Sequence, residues 1–189
     1  MRMKLNNQIV IESAAKIADT EGLDNVTLTA IAEVLGIRKP SLYNHVKGLP
    51  DLRRGLAIFG SNQLKARLTD AAVGKAKQDA IRSIAAAYRT FAHQRPGLYQ
   101  AIVASGAYWE DQKGKAATKE LMEVLYMVIR PYNLHDSDLI HAVRGLRSVM
   151  HGFVALEASG WFNQPVNRDE SYAQLVDTFI RGIEVLDIK

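Results

Sequence analysis

Cysteine does not occur in the 189-residue sequence, which excludes disulfides, thiol nucleophiles and thiolate metal sites. Long apolar runs are also missing. No segment approaches the roughly 20 consecutive apolar residues that a membrane-spanning helix needs. The opening MRMKLNNQ is not followed by an apolar run that could serve as a signal peptide. These absences lead us to expect a cytoplasmic protein with no membrane partner. Period-two alternation and internal repeats are lacking as well, which argues against a sheet or a solenoid. The five histidines form no close His/Asp/Glu pair on one helix face, and His135 and His141 are six residues apart, out of register. We expect no metal and no other cofactor. His151 reads as a hydrogen-bonded interior or interface residue. Serine, histidine and aspartate occur without a nucleophile-elbow pattern, so no catalytic residue and no enzyme is expected.

What remains is an apolar, helix-patterned chain. Hydrophobic residues make up 48% of it, enough for a substantial core. The net charge of +4 is too small to name a partner by itself. Its distribution is more informative. From Arg38 to Arg54 stand five basic residues, Arg38, Lys39, Lys47, Arg53 and Arg54, against one acid, Asp51. A cluster of that kind is the electrostatic footprint of a nucleic-acid contact.

The cluster overlaps the stretch TLTAIAEVLGIRKPSLYNHVK, Thr27 to Lys47. Thr27 can cap a helix with its hydroxyl oxygen. Leu28, Ile31, Ala32 and Leu35 follow at helical spacing and face inward. Gly36 ends that helix, because it enters the left-handed region that a sharp exit needs. Ile37 and Leu42 anchor a second, shorter helix, expected over about Lys39 to Val46. Its other face presents Arg38, Lys39, Ser41, Tyr43, Asn44 and His45. Cations and short donors on one face are what a DNA major groove accepts. The pattern predicts a helix-turn-helix, although helix, glycine turn and helix also occur in all-α proteins that bind no nucleic acid.

Around it the periodicity predicts an all-α protein with about nine helices. A first helix runs from about Asn6 to Glu21 and ends at Gly22. A long one follows Gly48 and reaches about Ala72, with Gly55 and Gly60 weakening it. Further helices are expected at Asp79–Gln94, Leu98–Ser105 and Ala116–Arg130, with a loop over GAYWEDQKGK. Asp136, as a cap, opens a helix to Ala158, and the last spans Glu170–Leu186 with Tyr172, Leu175, Val176, Phe179, Ile183 and Leu186 inward. The domain boundary is placed near Arg54, giving a helix-turn-helix domain at 1–54 and a helical effector-binding and dimerisation domain at 55–189.

From Val10 to Leu52 the sequence resembles the DNA-binding domain of the TetR family of bacterial transcriptional regulators. The matching positions are Ala14, Gly22, Thr27, Ile31-Ala32, Leu35-Gly36-Ile37 and Ser41-Leu42-Tyr43-Asn44-His45. The resemblance implies that Thr27 caps its helix at a backbone phosphate and that Tyr43 and His45 contact phosphates. It places Arg38, Lys39, Pro40, Ser41 and Asn44 nearest the bases. Three positions depart from the family pattern. Val46 stands where Phe is usual, and Leu49 replaces a common phosphate-binding Lys, for which Lys47 is the candidate substitute. Arg38 replaces a frequent capping Ser or Thr, leaving it either to pair bidentately with guanine or to grip a phosphate.

The C-terminal half resembles, in Met150-His151-Gly152-Phe153, Leu156-Glu157 and Gly160, a module of the same family named for a Trp-His-Gly triplet, with Met150 in place of Trp. The family fold then implies a homodimer through the last two helices, with Phe153, Leu156, Leu175, Phe179 and Ile183 as candidate interface residues. The alternative is that their stripes pack only on the preceding helices. Aromatic residues and methionines of the middle helices are candidates to line a cavity for an unknown small-molecule effector: Tyr88, Phe91, Tyr99, Trp109, Tyr126 and Met150. The alternative for these is ordinary core. The expected partners are a pseudo-palindromic double-stranded DNA operator, a second copy of the chain and the effector, and the expected function is that of a repressor. The rival function is a small-molecule-binding or interaction protein that keeps the helix-turn-helix as structure only.

Overall fold

A computed structural model describes residues 5–105 and 112–186, and every regular element among them is helical. Eight α-helices and one six-residue 3-10 helix make nine among the described residues, two three-residue turns aside. The α-helices are α1 (Asn7–Glu21), α2 (Leu28–Leu35), α3 (Leu49–Ala72), α4 (Lys77–Gln94), α5 (Pro96–Ala104), α6 (Gln112–Ile129), α7 (Asp136–Ala158) and α8 (Arg168–Leu186). Packing divides the chain into two units, Met1–Gln63 with Phe91–Lys119, and Leu64–Thr90 with Glu120–Lys189.

In the first unit α1 and α2 each open on a side-chain cap and close on a glycine. The Asn6 carboxamide oxygen accepts from the Ile9 N–H at 2.9 Å, and α1 turns Val10, Ala14, Ile17 and Ala18 into the core. Thr27 caps α2 by accepting from the Ala30 N–H at 3.1 Å. At the other end Gly36 sits at φ +63°, with its N–H on the Glu33 carbonyl and the Ile37 N–H on that of Ala32. These paired bonds form a Schellman closure, which needs a residue that tolerates left-handed backbone. Leu28, Ile31 and Ala32 are buried as expected, and Leu35 is half-buried.

The second unit is organised by α7 and α8. Val143, Leu146, Met150, Phe153 and Val154 of α7 are buried, as are Tyr172, Val176, Ile180 and Ile183 of α8. Full burial of one such side chain contributes roughly 1.5–3 kcal/mol. Arg89 of α4 donates to both carboxylate oxygens of Glu157, at 2.9 and 2.7 Å, and to Asp169 at 2.8 Å. Its guanidinium lies 5.6 Å from the centre of the Phe153 ring and 5.3 Å from that of Tyr172. Bonding to Glu157 raises the Arg89 pKa further above its ordinary value. The Tyr172 hydroxyl donates to the Ala85 carbonyl at 2.9 Å, and burial holds its pKa above the usual phenol value.

Several boundaries differ from expectation for identifiable reasons. Residues 112–115 of the expected GAYWEDQKGK loop are helical, part of α6, because Gln112, Lys113 and Lys115 are good helix formers and Gly114 costs only about 1 kcal/mol; the rest of that loop, 106–111, lies outside the described residues. Asp136 is the first helical residue of α7 and not its cap. His135 holds the cap position without a side-chain bond, and Asp136 and Asp138 face the positive end of the helix dipole. Helix α8 starts at Arg168, because the Asn167 carboxamide oxygen accepts from the Asp169 N–H at 2.8 Å. Within α8 Leu186 is exposed and Ile180 takes a buried position. Helix α5 begins at Pro96 rather than Leu98, with Pro96 in the first turn, where its missing N–H is harmless.

Candidate nucleic-acid interface

The segment after Gly36 is a 3-10 helix over Lys39–Asn44, shorter and tighter than the expected α-helix to Val46. Only eleven residues separate Gly36 from Gly48, both at positive φ. A short run between two sharp turns favours bonds from residue i to i+3. The Ser41 N–H donates to Arg38 at 2.9 Å, and the His45 and Val46 N–H groups both reach the Leu42 carbonyl, at 2.8 and 2.9 Å. Leu42 and Val46 are buried and anchor the segment.

Everything else on the turn faces outward to some degree. Arg38, Lys39, Pro40, Tyr43, Asn44 and Lys47 are exposed, and Ser41 and His45 are half-buried. Tyr43 is 56% exposed, so its ring and hydroxyl are open to a partner. Arg38 occupies the N-cap position with extended backbone and no side-chain capping bond. Thr27 is exposed, and while its oxygen caps α2 its hydroxyl hydrogen remains free to donate.

Charge is divided within the basic cluster. Arg54 pairs with Asp51, and Arg53 lies 3.9 Å from Asp24. Arg38, Lys39 and Lys47 make no ion pair with any described residue, so the three cations nearest the turn keep their full field. Asp51 also accepts from the Lys47 backbone N–H at 2.8 Å, which fixes the chain where it enters α3 while leaving the Lys47 ammonium outside. Leu49 is the first residue of α3 and half-buried. One supporting residue was not foreseen. Asn7 of α1 donates from Nδ2 to the His45 carbonyl at 2.8 Å. Nothing in the sequence marks a pairing between residues so far apart.

The remaining candidates are scattered. In the first unit Phe91 and Tyr99 are buried, and Trp109 lies outside the described residues. In the second, Tyr88 and Met150 are buried and Tyr126 is half-buried. A cavity of about 180 Å³ in that unit is lined instead by residues that include Phe153, Trp161, Phe162, Asn163, Gln164 and Arg168. Of the dimer candidates, Phe153 and Ile183 are buried within the chain, Leu175 and Phe179 are half-buried, and Leu156 is 46% exposed. No group of three or more His, Asp or Glu able to hold a metal occurs among the described residues, and no helix there is long and apolar enough to cross a membrane.

A capped helix, a glycine turn and an outward-facing polar turn, followed by a bundle of longer helices, define a helix-turn-helix protein with an all-α body. Comparison narrows the class. A family profile described as the tetracyclin repressor-like C-terminal domain matches residues 81–179. The chain is 34% identical to the HTH-type transcriptional regulator Rv0681 of Mycobacterium tuberculosis, over 96% of this chain and 83% of that protein. It is 33% identical to the HTH-type transcriptional regulator YobS of Bacillus subtilis, over 96% and 94% respectively. The fold superposes on SCO7222, a TetR from Streptomyces coelicolor, with a TM-score of 0.77 at 17% identity, covering 97% of this chain and all of that one. The chain belongs to the TetR family of DNA-binding transcriptional regulators.

Proposed function

We propose that the protein is a dimeric repressor whose turn from Arg38 to His45 enters the major groove, one copy per half-site of a pseudo-palindromic operator. The observation that carries this reading is the exposed face of Lys39, Pro40, Tyr43 and Asn44 on a turn pinned from behind by Leu42. A turn whose backbone is already held meets base edges and phosphates with its ordering cost confined to the side chains. Tyr43, His45, Thr27 and Lys47 position the turn on phosphates; Arg38, Lys39, Ser41 and Asn44 read bases.

Dimerisation through α7 and α8 is supported by Leu156, Leu175 and Phe179 at partly exposed positions. Gly152 and Gly182 add to this, since a Cβ at either would meet nothing within 4 Å. Glycine inside a helix costs about 1 kcal/mol relative to Ala. That cost makes sense where a partner's backbone must come close. Operator half-sites in turn require a two-fold protein. We assign residues 1–54 to DNA recognition and 55–189 to dimerisation and effector binding. An effector held by the body lowers operator affinity by favouring a conformer whose two turns no longer match the half-sites.

Selection of genomic fragments by the purified protein, followed by sequencing, tests this reading. Recovery of a two-fold-symmetric sequence supports it. Recovery of no preferred sequence favours a binding protein that keeps the helix-turn-helix as structure only.

A further inference from the structure

The connection from α7 to α8 holds a cavity open between two fixed ends. Helix α7 finishes in a Schellman closure: Gly160, at φ +74°, donates to the Glu157 carbonyl at 3.1 Å, and the Trp161 N–H reaches that of Leu156 at 3.0 Å. Asn167 then caps α8, accepting from the Asp169 N–H at 2.8 Å. Between these ends Arg168 Nη2 donates to the Phe162 carbonyl at 2.9 Å, tying the loop back to the start of α8. The cavity of about 180 Å³ is lined by this tied loop and by Phe153 of α7.

Its walls are of two kinds. Phe153 and Phe162 present tilted rings with centres 4.7 Å apart. Trp161 and Val166 also line it, yet they are 72% and 64% exposed. A ring entering the cavity takes apolar surface of both out of water. Aromatic walls at a tilt favour an aromatic guest, because ring edges attract ring faces. An apolar cavity of about 150 Å³ accepts benzene, so this one has room for a single ring with a small substituent.

Arg168 supplies the polar end. It is the one charged side chain among the described residues that line the cavity. The Phe162 carbonyl takes one of its five N–H donors and leaves others to a ligand. The acids beside the cavity in sequence, Glu157 and Asp169, are both held by Arg89. Arg168 stands in the first turn of α8, where a cation opposes the helix dipole, so helix stability does not account for it. A guanidinium fork matches the two oxygens of a carboxylate.

We propose that this cavity is a ligand site for a small aromatic carboxylate, with one ring against Phe153, Phe162 and Trp161 and the acid on Arg168. It gives the effector of the reading above a place and a chemical class, and the effector role rests on that reading. Occupancy does not, so it is measured without DNA.

Calorimetric titration of the full-length protein compares benzoate, benzyl alcohol and acetate, which carry ring and charge, ring alone and charge alone. Benzoate is expected to bind saturably, benzyl alcohol about tenfold more weakly, the scale of a hydrogen bond to a charged group, and acetate without measurable heat. Arg168→Gln keeps a donor for the Phe162 carbonyl and loses the charge. It should bring benzoate down to the level of benzyl alcohol and leave benzyl alcohol unchanged. Benzoate should also shift tryptophan emission in the wild type and not in Trp161→Phe, which keeps a ring and should keep the heat. The proposal is overturned if benzoate binds no tighter than benzyl alcohol, if acetate matches benzoate, or if neither aromatic compound saturates. It is equally overturned if folded Arg168→Gln binds benzoate as the wild type does, or if the emission shift survives in Trp161→Phe. The three wild-type titrations decide the matter even where a variant is destabilised. If no operator is found, the repressor reading falls alone, and the site stands as that of a ligand-binding protein.

Discussion

Asn7 donates a 2.8 Å hydrogen bond from Nδ2 to the carbonyl of His45, across 38 positions of sequence. That bond ties the start of α1 to the end of the exposed segment that we propose faces DNA. In Asn7→Ala the carbonyl turns to water and the turn loosens. A bond of this kind is worth about 1 kcal/mol, so operator affinity should fall roughly fivefold with base preference unchanged. Fluorescence anisotropy on operator and on single-base variants measures both.

Lys47 illustrates the division between position and side chain. Its backbone N–H is held by Asp51 at 2.8 Å, while its ammonium is exposed without an ion pair among the described residues. Lys47→Ala should leave the fold intact and lower affinity for all sequences alike. The slope of log affinity against log salt should become shallower by about one unit. Ser41→Ala, by contrast, should change base preference. A titration series at several salt concentrations tells these apart.

The Arg89–Glu157 pair predicts a stability effect remote from DNA. The side chains are 14% and 8% exposed, so the pair is shielded, though Asp169 remains to share the guanidinium. Glu157→Gln removes the charge and leaves Arg89 partly uncompensated between two aromatic rings. Urea unfolding should show a loss of about 3 kcal/mol, the low end for broken buried pairs. Arg89→Met, which removes the stranded charge, should lose less.

His151 contributes to the loss of stability in mild acid. Burial, and secondarily the Arg147 guanidinium, lower its pKa below the ordinary 6.5. Near pH 6.5 the unfolded chain therefore binds more protons than the folded one, so stability falls as pH drops from 6.5 through the depressed folded value. Unfolding free energy measured between about pH 7 and about pH 5 should decline, and His151→Gln should flatten that part of the decline.

The parts of this structure that were legible in the sequence are those set by local chemistry. Thr27, Gly36 and the spacing of Leu28, Ile31 and Ala32 define α2 without reference to the rest of the chain. Asn167 was missed as the cap of α8 because it stands among other polar loop residues in GWFNQPVNRDE, where several could serve. Ile180 was missed because near-ideal spacing through Phe179 and Leu186 described a face rotated from the one that packs on the chain; Phe179 is half-buried and Leu186 exposed. The outward set on the reading turn followed from Leu42 as its apolar anchor. What could not be read was tertiary: Asn7 on His45, Asp19 on the Gly97 N–H, and Glu157 on Arg89 are pairings that only the folded path of the chain creates.

The central claim is that the turn from Arg38 to His45 reads DNA. Its most direct test is an anisotropy titration of the selected operator with wild type, Tyr43→Ala and Lys39→Ala, all checked for an unchanged thermal midpoint. Tyr43→Ala should weaken operator and non-specific duplex together. Lys39→Ala should weaken the operator by about 1–3 kcal/mol, the worth of a good base contact, and relax preference at one position of each half-site. Wild-type binding by both folded variants would contradict the account.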